Sequence, residues 1–77
     1  MNELTFETAV RGTIIVDRFC HEEEYLIFFH DTSKNSLHCL TSDFNIVYLS
    51  TDWLSGYLVK GKIDIDKLIT RMGGGCE

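Results

Sequence analysis

The run Glu24-Tyr25-Leu26-Ile27-Phe28-Phe29-His30 decides the fold. It holds five apolar or aromatic side chains in succession, begins straight after Glu22 and Glu23, and stops at Asp31-Thr32-Ser33-Lys34-Asn35-Ser36. A short run rich in aromatics and bounded by turn residues reads as a strand buried on both faces. Successive side chains of a strand point to opposite faces, which predicts Tyr25, Ile27 and Phe29 on one side and Leu26, Phe28 and His30 on the other. Such a strand belongs in the middle of a sheet, with something covering each face.

Working outward, Glu3 to Ala9 alternates Leu4 and Phe6 with polar neighbours and reads as a half-buried strand. Gly12 in Val10-Arg11-Gly12-Thr13 is free to take positive φ, and Thr13 to Cys20 opens on β-branched residues, so these two strands are expected to form a hairpin. His21-Glu22-Glu23-Glu24 reads as a loose connection. Beyond the central strand, Ser36–Thr41 and Phe44–Leu49 read as two more strands, giving an antiparallel meander.

The pattern changes at Ser50-Thr51-Asp52, which offers N-cap side chains and a first-turn acid. Trp53, Leu54, Tyr57 and Leu58 then fit one helical stripe, and Asp64 can cap a second helix carrying Ile65, Leu68, Ile69 and Met72. Gly73-Gly74-Gly75 stops it. The expected architecture is therefore one α+β domain over residues 1–72, an antiparallel sheet of four to five strands with one or two C-terminal helices on one face. Residues 73–77 are expected to form a flexible glycine-rich tail. Helices placed last cover only one face; the other either curls on itself or meets a partner, a second copy included.

A chain of 77 residues buries only about 60% of its unfolded surface, which leaves little room for a deep cofactor pocket. With 44% apolar and 25% charged residues, the composition is that of an ordinary soluble domain. The chain has no apolar run near the roughly 18 residues of a membrane span, and its start, Met1-Asn2-Glu3, is not that of a signal peptide. A cytoplasmic protein is expected, in a host cell's cytoplasm if phage-encoded. The three cysteines, Cys20, Cys39 and Cys76, are an odd number and read as two buried reduced thiols and one free tail thiol.

The net charge of −5 is uneven: residues 1–58 carry nine acids against three bases, residues 59–77 three acids against four bases. Nucleic acid is bound by clustered Lys and Arg, which the first part lacks, so a basic protein partner is favoured over direct nucleic-acid contact or a membrane. Catalytic signals are missing: the sequence contains no phosphate-binding GxxxxGK[ST], no GxSxG and no HExxH. Cys20-His21 and His38-Cys39 resemble a metal set by residue type, but their strand positions hold them apart, so neither metal nor cofactor is expected. His30 and His38 flank one loop without a third ligand. Asp64 and Asp66 read as helix-start acids.

The cluster with direction is Glu22-Glu23-Glu24 with Asp17 close by. Spaced carboxylates can occupy Arg and Lys sites that normally take phosphate. The expected function is a non-enzymatic acidic binding module, an inhibitor or adaptor that occupies a basic, nucleic-acid-facing surface of a larger enzyme through Asp17, Glu22, Glu23 and Glu24. Small phage anti-defence proteins, anti-CRISPR proteins among them, work this way as a class. A structural or regulatory homodimer, pairing through a sheet face or edge, is the alternative.

A third reading starts from the tail Arg71-Met72-Gly73-Gly74-Gly75-Cys76-Glu77. Together with the opening hairpin and the chain length, this late diglycine is similar to ubiquitin-like proteins. The resemblance covers about the first 20 residues and the tail, and implies a carrier activated at the diglycine once Cys76 and Glu77 are trimmed.

Overall fold

The computed structural model describes residues 2–67. They form a six-stranded antiparallel sheet: β1 (Asn2–Glu3), β2 (Thr13–Asp17), β3 (Cys20–Asp31), β4 (Ser36–Thr41), β5 (Ile46–Ser50) and β6 (Tyr57–Lys62), in the order β1-β6-β2-β3-β4-β5. The architecture is mostly β. Strands β2 to β5 are the expected meander, and β3 lies inside the sheet between β2 and β4.

Where the local chemistry is strong, it sets the elements. Asp17 turns the chain by accepting backbone N–H bonds from Phe19 and Cys20 at 2.8 and 3.1 Å, so β3 begins at Cys20, and the turn before it is Arg18-Phe19. Glu22, Glu23 and Glu24 therefore lie within β3 and not in a connecting turn, which corrects the sequence reading. A carboxylate-capped turn is tighter than the loose loop that three glutamates suggest. Gly12 does take a positive φ of 99°; it donates to Ile27 O at 2.7 Å and accepts from Ile63 N at 2.8 Å.

The opening hairpin is not formed. β1 pairs with β6, Asn2 opposite Val59 and Glu3 opposite Leu58, and residues 4–12 turn back over one face of the sheet. Thr5 and Thr8 stabilise that path by exchanging side-chain and backbone bonds, which compete with a strand ladder.

The helical stripe is also overturned. Ser50 does cap, its hydroxyl accepting from Asp52 N at 3.1 Å, but only a 3₁₀ turn over Thr51–Gly56 follows. Trp53 has non-helical dihedrals and is mostly exposed, and the chain leaves as strand β6 at Tyr57. Gly56, poor in a helix interior, sits at that boundary. No helix among the described residues packs across a sheet face as expected. Asp64 accepts from Lys67 N at 2.9 Å, as a helix cap does, at the start of the helical residues 65–67. The remainder of that expected helix and the glycine tail lie outside the described residues.

The core is one-sided. Ile15, Ile27, Leu37 and Cys39 from the sheet meet Leu4 and Ala9 from the covering segment, with Tyr25, Val47, Leu49, Leu54, Tyr57 and Val59 around them. Among the described residues no segment packs across the opposite face, although Val16, beside Glu24 in the register, is buried there.

Candidate functional site

The open face is built by alternation and one irregularity. The register sets Ile14 opposite Leu26, Leu26 opposite Leu40, and Leu40 opposite Ile46, an apolar row across four strands. Beside it runs an aromatic row: Phe29 opposite His38, and His38 opposite Tyr48. The pairing of β3 with β4 slips between Ile27 and Phe29, so Phe28 is the extra residue of a β-bulge. Both phenylalanines consequently reach His38, with ring centroids at 6.0 and 5.2 Å, and Tyr48 meets the same imidazole at 4.8 Å. All three contacts are edge-on, as ring quadrupoles prefer.

The bulge corrects the predicted faces. Phe29 joins Leu26 and Phe28 on the open side. His30 crosses to the covered side, where its Nδ1 donates to Ala9 O at 2.8 Å and its ring meets Phe6 at 4.8 Å. His30 and His38 thus point away from each other. Strict alternation along the central run could not foresee this, because nothing in the residue types marks the bulge.

The face is exposed from Phe29 in β3, at 50%, out to β5 and its hairpin, where Ile46 is 57% exposed, Tyr48 67% and Phe44 81%. Phe44 closes the β4–β5 hairpin with a positive φ of 64°, a conformation that favours Gly or Asn. Thr41 N donates to Asn45 O and Phe44 N to Thr41 O, fixing the ring beside Ile14, Glu24, Leu26 and Leu40 around an open groove of about 230 Å³.

The predicted acidic residues divide between the two faces. Glu24 stands at the groove and pairs with Lys60 at 2.6 Å, spanning the neighbouring strand β2. Glu22 is exposed in the stretch of β3 between Cys20 and Glu24 where the register with β2 slips. Glu23 belongs to the other side, where it accepts from the Tyr25 hydroxyl at 3.1 Å; burial and this carboxylate push the Tyr25 pKa up to about 12. Asp17 is engaged in its turn. The structure brings Glu24 to the apolar face, and does not join all four acids into one stripe.

Sequence reasoning missed Phe44, Ile46 and Tyr48 as surface residues. The signal was present in β5, Ile-Val-Tyr-Leu-Ser, where every second side chain of an uncharged strand has to face away from the core.

The remaining chemistry is scattered. Cys20 is exposed at the start of β3, not buried as expected, and Cys39 lies in the core, where burial raises its thiol to about 12 and keeps it protonated. Among the described residues no group of three or more His, Cys, Asp or Glu is arranged to hold a metal ion. A wider cleft of about 480 Å³ lies beside Arg11, Lys62, Asp64 and Asp66, but Arg11 is tied to Asp66 at 3.0 Å and the opposed charges balance. No helix among the described residues is long and apolar enough to cross a membrane.

No protein-family model, curated protein or solved structure matches the chain.

Proposed function

We propose that the chain is a non-enzymatic protein-binding module, an inhibitor or adaptor that sets its open sheet face on a basic surface of a larger protein. The surface envisaged is one that otherwise takes nucleic acid, the mode of small phage anti-defence proteins such as the anti-CRISPR class, acting in the cytoplasm. The observation that carries this reading is Phe44, 81% exposed and held at a positive φ. Backbone strain of this kind costs about 1–3 kcal/mol and tends to mark functional positions. An exposed ring returns nothing to the fold, so a partner is what gives it use.

The groove beside Phe44 suits a basic side chain. An arginine or lysine stem lies along Leu26 and Leu40, and its charged head reaches Glu24 in competition with Lys60. Glu22 and the −5 net charge steer the encounter.

The test is binding kinetics against the captured host partner at two salt concentrations. Wild type should bind more slowly as salt rises, because screening limits exposed charges to about 8 Å near physiological ionic strength. The Glu22→Lys, Glu23→Lys, Glu24→Lys triple variant should lose on-rate, and Phe44→Gly should raise the off-rate. Unchanged kinetics for both variants would sink this reading.

A further inference from the structure

We propose that β5 is a pairing edge for a second copy of the chain, joined antiparallel about a two-fold axis at Tyr48. This stands independently of the partner-binding reading, since it concerns the sheet's edge and not its open face.

Two bonds fix which backbone groups of β5 face outward. Thr41 N donates to Asn45 O at 2.8 Å at one end of the β4–β5 pair, and Thr51 N donates to Asn35 O at 3.0 Å at the other. Bonded and non-bonded pairs alternate along an antiparallel ladder, and the register pairs Cys39 with Val47, His38 with Tyr48 and Leu37 with Leu49. Val47 and Leu49 therefore bond inward to β4. The N–H and C=O groups of Ile46 and Tyr48 point away from the sheet, where β5 ends the strand order.

Among the described residues that edge lacks the usual protections. Edge strands are commonly blunted by charge, proline, shortness or a bulge. β5 has five residues, none charged and none proline, and its register with β4 is unbroken. The other edge is treated differently: β1 is two residues long, and the part of β6 beyond it carries Lys60 and Lys62.

The strand is also its own complement. Centred on Tyr48, an antiparallel pair sets Tyr48 against Tyr48 with both outward groups satisfied, and Ile46 against Ser50. Val47 of one copy then meets Leu49 of the other at the close, non-bonded spacing, on the core face where both are already half-buried. The paired strands, Ile46–Ser50 in each copy, contain no charged residue, so no two acids face each other across the pair. The two open faces merge into one, with the tyrosines at its middle. A five-residue edge is small beside a standard interface of about 1,200–2,000 Å². The pair is thus concentration-dependent, and because each chain carries −5, added salt strengthens it.

Sedimentation equilibrium of the full chain tests this from the low micromolar to the millimolar range. The mass should rise from 8.9 kDa toward twice that value, and earlier in the titration at high salt. Tyr48→Pro removes an outward N–H without breaking a bond to β4 and should give a folded monomer at every concentration. Tyr48→Lys and Tyr48→Glu should each be monomeric alone, by like-charge repulsion at the axis, and should recover the doubled mass when mixed in equal amounts. A wild-type chain monomeric throughout overturns the proposal. So does a dimer of either charged variant alone, or a mixture that stays monomeric. Partner binding weakens with salt whereas self-pairing strengthens, so the two readings fail separately.

Discussion

At the scale of single residues, exposure and conformation separate fold from function. Phe28 and Phe29 adjoin in the central strand, yet the bulge sends both to the open face, and it is Ile27, fully buried, that anchors the core. Ile27→Ala should cost about 2–5 kcal/mol, a large part of a small domain's stability. Phe29→Ala, with half its surface already in water, should cost clearly less. Urea melts of the two variants measure the difference, and equal losses would place Phe29 in the core. Phe44 runs the other way. A side chain at positive φ costs roughly 1–2 kcal/mol, partly offset in a glycine variant by the chain entropy glycine loses on folding. Phe44→Gly should therefore match or exceed wild-type stability by up to about 1 kcal/mol. A lower melting temperature would show that the ring supports the hairpin.

At the scale of elements, the sequence was legible where a side chain dictates backbone geometry locally. Ser36–Thr41 is a strand as read, Ser50 caps as expected, and Gly12 needs the freedom only glycine has. An alanine there would drive its Cβ into the carbonyl oxygen of Ile63, at a φ disfavoured for any side chain. Gly12→Ala should thus cost more than the roughly 1–2 kcal/mol of a simple left-handed residue, because the bonds Gly12 makes to Ile27 and Ile63 must shift as well. A denaturation midpoint near wild type would mean that the 4–12 segment moves freely aside. The rest was illegible because it depends on distant parts of the chain. Tyr57 and Leu58 fit a helix with Trp53 and Leu54, but β2 offers Tyr57–Lys62 an open ladder, and long-range pairing overrides a weak local preference. Asn2–Glu3 is a strand only because β6 has arrived beside it. Of the candidate site, the acids were visible as a cluster. The division of Glu23 from Glu24 between opposite faces became clear only once β3 was known to begin at Cys20.

At the scale of the whole molecule, the core cluster of the described residues lies on one face of the sheet, and it contains groups that resist ionisation. Cys39 sits in the core with its thiol raised from 9.0 to about 12 by desolvation, and Tyr25, at the core's margin, is raised from 10.0 to about 12, by desolvation first and then by Glu23. Tyr57 is also raised, by burial first and then by Asp17. In each case the unfolded chain gives up its proton at a lower pH than the folded one. Above the ordinary thiol and phenol values the unfolded state therefore binds fewer protons, and stability falls as pH rises. The contribution is complete below about pH 9, declines through 9 to 12, and is lost above the folded values near 12. Removing one group at a time assigns the slope. Cys39→Ala should delay the onset of the loss toward the phenol range, at the expense of a small cavity, and Tyr25→Phe should flatten the upper part of the curve. Melting temperatures followed from pH 8 to 12 for the three proteins check this. If the Cys39→Ala profile has the same shape as wild type, the thiol is not held protonated by the core, and the close packing of Ile27, Leu37 and Cys39 against Leu4 and Ala9 is looser than the structure shows.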